Sequence, residues 1–304
     1  MDHKIVLKMR KSLYLIIPFL TLMCLSQSAT AQNLSLGFKA GLSFSGFNDD
    51  SELDSDGNEV ESFRTQTGFH IGILGRYTFY DDVFGLRFGL IYNQRGGRVD
   101  HEGESWFVFN PEDPSWAVGE RDEEMRWSNV YLDIPIEGMV RLGGRFEISA
   151  GGYVGFLVGS TGSGDMSFSG RSQSTGNAIE DFQVLYDFKP MRDRAGLGSY
   201  KGDSQFIRMD GRDREAPQEA GTYFEFAEKD GNYFNWFDVG LTGGLTYFIN
   251  QGLYVNAQYK YGLNHVIRDK YYISKVELGD GNEFVQRSGN RTNHSLMISM
   301  GFAF

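Results

Sequence analysis

The sequence is poor in cysteine and proline. Its one cysteine, Cys24, lies in an N-terminal apolar segment, and 6 of its 304 residues are proline. Once that segment is removed, the chain has no thiol, which excludes a disulfide scaffold, a cysteine-based zinc site and a thiol nucleophile. Because no long apolar run follows Gln32, no transmembrane helix is expected in the rest of the chain.

Positive charge is also scarce. The chain has 29 basic and 40 acidic residues, a formal net charge of −11. Nucleic-acid phosphates need a basic surface, so no nucleic-acid partner is expected. Aromatic residues, in contrast, make up 15% of the chain and glycine contributes 39 residues, a composition that favours β-structure.

The N-terminus has the features of a secretory signal peptide. Basic residues at positions 4, 8, 10 and 11 precede an apolar run at 12–26, and Ala29-Thr30-Ala31 forms an A-x-A cleavage site. The run is interrupted by Pro18 and is shorter than the roughly 20 residues of a spanning helix. We expect residues 1–31 to be removed and residues 32–304 to form one mature domain.

The C-terminal segment alternates strictly between two faces. One face carries Leu296, Ile298, Met300, Phe302 and Phe304, and the other carries Ser295, Met297, Ser299, Gly301 and Ala303. This period of two predicts a β-strand with one apolar face, and 9 to 11 tilted residues suffice to cross a bilayer. The same pattern occurs in seven further segments, at 34–44, 69–79, 84–93, 129–141, 146–156, 237–249 and 253–261.

Eight such strands predict an all-β fold, a closed antiparallel transmembrane β-barrel with its apolar faces outward. The alternative is a soluble lipocalin-like barrel or β-sandwich, in which the apolar faces point inward. The other strand faces carry lysine, arginine and carboxylates, so a soluble fold would have few large side chains outside its core. The membrane barrel is therefore favoured.

The connections between these segments alternate in length. Asp81-Asp82, Gly143-Gly144 and Asn250-Gln251-Gly252 read as tight turns, whereas long polar segments lie at 48–64, 98–126, 161–233 and 264–291. Short periplasmic turns, long extracellular loops and periplasmic termini are the topology of outer-membrane barrels. The 161–233 insertion contains two strand-like stretches, FQVLYDF and TYFEF. It either extends the barrel above the membrane as a hairpin or is mobile.

The inner faces of the predicted strands carry balanced charge. Arg76 and Arg87 should lie opposite one another across the first hairpin, offset by Glu137 and Glu147 on nearby strands, while Asp238 and Lys260 should pair diagonally. An eight-stranded barrel is just wide enough for its side chains. The favoured interpretation is an ion network that plugs the lumen, and the alternative is a narrow path for small solutes. The residues of this network are Lys39, Arg76, Arg87, Asp133, Glu137, Glu147, Asp238 and Lys260.

Two strands carry features that modify this plug. The inner face of the last strand, with Ser295, Ser299, Gly301 and Ala303, is small and uncharged, so any residual channel should run along it. Pro135 lies inside the predicted strand 129–141, where it cannot donate a ladder hydrogen bond. We expect a β-bulge at Pro135.

No catalytic motif accompanies the four histidines that follow the leader, His70, His101, His265 and His294. There is no G-x-S-x-G or H-E-x-x-H pattern, so neither an enzyme nor a cofactor is expected. The alternative is an outer-membrane lipid-modifying enzyme that uses a histidine with serine or aspartate near the outer rim, such as His294 beside Ser295.

Two loop features have binding and non-binding interpretations. The 52–58 segment resembles the start of a calcium loop, but Phe63 occupies the position of the bidentate glutamate, so a solvated turn and no metal are expected. The loop aromatics either contact a protein or glycan or pack over the barrel mouth. They are Trp106, Phe107, Phe109, Trp116, Tyr223, Phe224 and Phe226.

Four motifs resemble the PorT-like outer-membrane β-barrel family. They are Ala31-Gln32, the 37–41 segment GFKAG, the 131–136 segment YLDIPI and the terminal Phe304. The resemblance implies a porin-like barrel, and the founding member of the family belongs to a protein-secretion apparatus. We also expect a monomer in contact with outer-membrane lipid and lipopolysaccharide, with a protein or glycan partner at the extracellular loops.

Overall fold

The computed structural model describes residues 34–79 and 83–304, so the predicted signal peptide and the predicted turn at Asp81-Asp82 lie outside the described residues. Within these ranges the chain forms fifteen strands and two short 3-10 helices, at Gly196–Ser199 and Asp269–Tyr271. The strands are β1 Leu34–Asn48, β2 Glu61–Arg64, β3 Gln66–Phe79, β4 Phe84–Phe109, β5 Ser115–Leu142, β6 Phe146–Ser172, β7 Phe182–Phe188, β8 Ser204–Met209, β9 Arg212–Pro217, β10 Glu219–Ala220, β11 Phe237–Phe248, β12 Leu253–Gly262, β13 Ile273–Leu278, β14 Phe284–Gln286 and β15 Thr292–Ala303. No helix in the described ranges is long and apolar enough to cross a membrane.

Eight strands form a closed antiparallel ring. Each strand pairs with the next in the order β1, β3, β4, β5, β6, β11, β12 and β15, and β15 pairs with β1 through contacts such as Leu42 with Ile298. The predicted eight-stranded barrel is confirmed. Every backbone edge in the ring is paired, as hydrocarbon requires.

The orientation of the strand faces decides between the membrane barrel and the soluble alternative. Apolar side chains such as Ile71, Ile136 and Leu245 point outward and are 53–62% exposed. Charged side chains such as Asp133 and Lys260 point inward and are fully buried. A soluble barrel would show the reverse arrangement, so the outward side chains form an apolar belt around the ring.

Three strands, β4, β5 and β6, continue well past this belt. The 98–126 segment was expected to be a loop, but it is the upper part of β4 and β5, which pair from Phe84 with Val140 to Phe109 with Ser115. The part of β4 beyond Asn93 is roughly 50 Å long at the usual rise per residue. The loop prediction was wrong because the inner face of this extension is polar and aromatic, which weakens the alternation in the sequence.

The 161–233 insertion is largely folded onto this extension. FQVLYDF forms β7, which pairs with β6 from Gly162 with Phe188 to Phe168 with Phe182, so the extended-hairpin interpretation applies. β8 and β9 form a separate hairpin. TYFEF is not a strand, and its Tyr223 makes an isolated bridge with Ala195.

Pro135 does not cause a bulge. It pairs in register with Tyr153 of β6, and the register shift lies instead between Val130 and Tyr131. On the other side, β4 pairs with β5 at Phe88–Ile136 and again at Ile91–Asp133. The two pairs between them are missing, but the register is unchanged. The missing N–H therefore interrupts the ladder locally without adding a residue.

The loops fold into a second core, which we call the cap and define as residues 47–65, 94–129, 159–235 and 264–292. One cluster of buried residues runs from Phe47 and Tyr131 at the barrel mouth to Phe182, Tyr223 and Tyr271 in the cap. The cap lies at the end of the barrel opposite the short turns. We call these two ends the loop end and the turn end.

Candidate functional site

The turn-end half of the lumen contains the predicted arginine pair. Arg76 and Arg87 occupy directly paired positions on β3 and β4. Arg87 donates to Glu137 at 2.7 Å and contacts Glu147 at 3.3 Å, and Arg76 contacts Glu147 at 3.2 Å. The two carboxylates therefore offset the repulsion between the guanidinium groups.

The loop-end half contains a second cluster that is centred on Arg95. Its guanidinium contacts Asp133 at 2.8 Å and Asp238 at 2.5 Å. Lys260 contacts Asp133 at 2.6 Å, so the predicted Asp238–Lys260 pair is wrong. Asp238 lies closer to a cation that the sequence interpretation missed, although Arg95 continues the odd-numbered inner face of β4.

Aromatic rings enclose this second cluster. The Arg95 guanidinium lies 4.1 Å from the centre of the Tyr131 ring, and Lys260 lies 4.7 Å from that of Tyr153. Arg95 and Asp133 are at most 1% exposed. A cation that is desolvated over an aromatic face gains more than an exposed one, so the rings and carboxylates together hold these charges away from water.

Lys39 is bound differently from the other lumen cations. Its ammonium group donates to the Gln258 side-chain oxygen at 2.5 Å, and Gln258 in turn donates to Glu137 and Thr242. This amide therefore connects Lys39 to the carboxylate that binds Arg87. All eight predicted network residues lie on the inner wall, and their contacts form two clusters, one around Arg87 and Glu137 and one around Arg95 and Asp133.

A small apolar cluster lies on the inner wall beside these ions. Leu74, Ile91 and Met297 form a buried cluster between β3, β4 and β15. Ser295 and Ser299 on either side of Met297 are at most 3% exposed, and the Tyr254 ring packs on Gly301. Neighbouring strands therefore supply the bulk that the inner face of β15 lacks, and a cavity of about 30 Å³ at the turn end is lined by Ala303 of β15.

The histidines lie in separate environments. His70 Nδ1 lies 3.0 Å from Ser43 Oγ, and both residues are fully buried in the lumen. His265 contacts Asp269 at 3.4 Å on the cap surface. His101 is buried in the cap, where burial and the charge of Arg121 lower its pKa to about 4.

The cap has its own buried charge network around a cavity of about 60 Å³. Lys275 contacts Glu123 at 2.7 Å, and Arg121 contacts Glu225 at 3.3 Å. Burial acts to raise the pKa of Glu123, but the charges of Lys275 and Arg121 outweigh it and lower that pKa to about 2. The cavity has room for a few waters, and charged side chains in its lining, such as Lys275 and Glu123, pair with one another.

In the calcium-like segment, the carboxylate that could bind a cation is hydrogen-bonded within the segment itself. Asp54 accepts hydrogen bonds from the backbone N–H groups of Asp56 and Asn58 and from the Asn58 side chain, at 2.8–2.9 Å. Across residues 34–79 and 83–304 there is no group of three or more histidine, cysteine or acidic side chains placed to hold a metal ion.

The loop aromatics pack over the barrel mouth. Phe107, Phe109, Tyr223 and Phe224 are buried in the core of the cap, and Trp106 donates to the Val276 carbonyl at 3.0 Å. The ring of Trp127 stacks on those of Phe188 and Tyr233, at 4.9 and 5.2 Å between centres. Of the two interpretations of these aromatics, the structure supports packing within the cap.

Comparison with known proteins adds a family match. The family model described as "Outer membrane protein beta-barrel domain" matches residues 26–268, which is most of the chain. Similar solved structures include the attachment invasion locus protein Ail of Yersinia pestis, at 13% identity, and Neisserial surface protein A, at 12%. Each similarity covers 90% of this chain and all of the other, with a TM-score of 0.32. The outer membrane protease OmpT of Escherichia coli is 9% identical, with a TM-score of 0.30, and 90% of this chain and 97% of that chain are covered. No curated protein matches this sequence.

Proposed function

Because this chain belongs to the outer membrane protein β-barrel domain family, we propose that it is a non-enzymatic, non-conducting barrel whose cap carries its function. That function is binding, surface assembly or envelope integrity at the bacterial cell surface. The short turns and both termini face the periplasm and the cap faces outward, as in other barrels with long loops at one end. Residues 1–31 serve as a cleaved signal peptide.

The filled lumen is the observation that carries this proposal. Two ion clusters and the apolar cluster of Leu74, Ile91 and Met297 lie inside the ring. The cavity at the turn end has a volume of about 30 Å³, room for one or two waters. A solute path would require these buried pairs to separate, and breaking a buried ion pair costs about 3–5 kcal/mol.

The cap supports a role in binding. Its strands continue the barrel sheet, and its loops bury a shared aromatic core, so it presents a folded surface outside the membrane. We place the chain with the PorT-like members of its family because of its 131–136 motif, and a secretion-associated role is included in the proposal. Partners are surrounding lipid and lipopolysaccharide, together with a protein or glycan at the cap of a monomer.

Conductance separates this proposal from the transport alternative. Purified mature protein in planar bilayers should show no stable current steps, and vesicles that contain it should not swell in small sugars. A general porin incorporated in the same way serves as the positive control. Large, reproducible current steps would overturn the plug. For the enzyme alternative, His294→Ala should leave any phospholipid hydrolysis by the preparation unchanged.

A further inference from the structure

The outer wall of the barrel has a groove near the turn end, with a volume of about 450 Å³. Strand pairing places Ile148, Leu245, Ala257 and Ile298 side by side on four neighbouring strands. The other three side chains project into the membrane, and Ala257 ends at its Cβ. The short side chain of Ala257 therefore leaves a depression between its larger neighbours. This groove lies within the apolar belt.

A cation lies at the turn-end rim of this groove. Arg145 is exposed and follows the Gly143-Gly144 turn, between Leu142 and Phe146, which both line the groove. Its guanidinium lies 3.5 Å from the hydroxyl of Tyr247, another lining residue. Arg141 and Arg76, near the same end, contact Glu147 instead. Within residues 34–79 and 83–304, no carboxylate lies within ion-pair distance of Arg145.

We infer that this groove binds one glycerophospholipid of the surrounding leaflet, with its phosphate on Arg145 and Tyr247 and an acyl chain over Ala257. Guanidinium groups bind phosphate through charge-assisted hydrogen bonds, and tyrosine is enriched at the membrane interface. An apolar groove that ends at a single cation matches a molecule with one anionic head and an apolar tail. To occupy the groove instead, a second copy of this chain would have to place an anion against Arg145 and an apolar ridge against Ala257 at the same time.

The identity of the lipid rests on the orientation in the proposed function, because that orientation places the turn end in the periplasmic leaflet, which consists of glycerophospholipids. The experiment uses native mass spectrometry of the mature protein, extracted in mild detergent and exchanged with vesicles of phosphatidylglycerol and phosphatidylethanolamine. We expect one retained phospholipid per chain.

Two variants test the two halves of the site. Ala257→Phe fills the groove, and Arg145→Gln removes the cation, so each should lower the retained lipid at least tenfold, whereas Arg145→Lys should keep most of it. Ala40→Phe is the matched control for Ala257→Phe, because Ala40 is exposed in the belt, pairs with Met300 and Ile71, and lies outside the groove lining. It should retain lipid as the unmodified protein does.

Three results would overturn the lipid site. They are no retained phospholipid on the unmodified protein, equal retention by Ala257→Phe and Ala40→Phe, or a dimer in light scattering that Ala257→Phe dissociates. The last result would identify a second copy as the occupant. A heat-dependent mobility shift on gels shows whether each variant is folded, and Arg145→Gln provides a test that leaves the groove unfilled. Lipid retention is measured independently of conductance. The lipid site and the proposed non-conducting barrel can therefore be refuted one without the other.

Discussion

Replacing Arg95 with methionine should destabilise the barrel by about 3–5 kcal/mol, the usual cost of leaving a buried charge without its partner. Arg95 is 1% exposed and bridges Asp133 and Asp238. In the variant, Asp133 keeps Lys260 at 2.6 Å. Asp238 keeps the neutral donors Tyr153 at 3.0 Å and Asn293 at 3.3 Å, so its carboxylate loses the cationic contact that Arg95 provides.

Urea unfolding of the protein in micelles, followed by tryptophan fluorescence, measures this loss. If the slope of the unfolding free energy against urea is at most about 3 kcal/mol per molar, the midpoint should fall by at least about 1 M. Arg76→Met is the matched control. It removes the same kind of side chain, but Glu147 keeps Arg87 and Arg141, so a loss below about 1 kcal/mol is expected.

A double variant tests the cause of the loss. Adding Asp238→Asn to Arg95→Met removes the unpaired charge and should recover at least half of the lost stability. Equal losses for Arg95→Met and Arg76→Met would refute the reasoning. So would a double variant that is no more stable than Arg95→Met alone, because the loss would then come from packing.

Two further predictions concern the cap. His101 stays neutral in the folded protein because its pKa is lowered to about 4, so the unfolded chain binds an extra proton between that value and its ordinary pKa near 6.5. Stability should therefore fall by about 2 kcal/mol from pH 7 to pH 5, and urea titrations should show a smaller fall for His101→Gln. Trp127→Ala removes a 4% exposed ring that stacks on two others, at a cost of about 3–5 kcal/mol. Limited proteolysis should then cut within 161–233 while the barrel keeps its heat-dependent gel mobility, and an uncut cap would contradict the prediction.

The sequence predicted the barrel well because alternation records which environment each strand face meets. For example, Leu296 and Ile298 alternate with Ser295 and Ser299. In the structure the two apolar side chains face outward and the two serines face inward. The same parity placed Arg76 and Arg87 on the inner wall, and their pairing followed from a constant sum of residue numbers across a hairpin. Both inferences use contacts that are local in sequence.

The cap was harder to predict because its strands are covered by loops that come from distant parts of the chain. His101, Ser105 and Phe107 all face inward on β4, but this mixed face lacks the apolar signal of a membrane strand. The prediction of a β-bulge at Pro135 was wrong for a related reason. The effect of the proline depends on which neighbouring strand its missing N–H would have faced, and this is a tertiary contact.

The sequence by itself determined that this chain forms an outward-apolar barrel and that its eight charged network residues lie on the inner wall, because both follow from a period of two along each strand. The tertiary structure decided how those side chains pair. Asp238 binds Arg95, 143 positions away, and not Lys260, because closure of the ring brings β4 and β11 side chains together across the lumen. Leu74, Ile91 and Met297 also meet in one buried cluster, and the Tyr254 ring packs on Gly301, so side chains from strands that are distant in sequence occupy space beside β15.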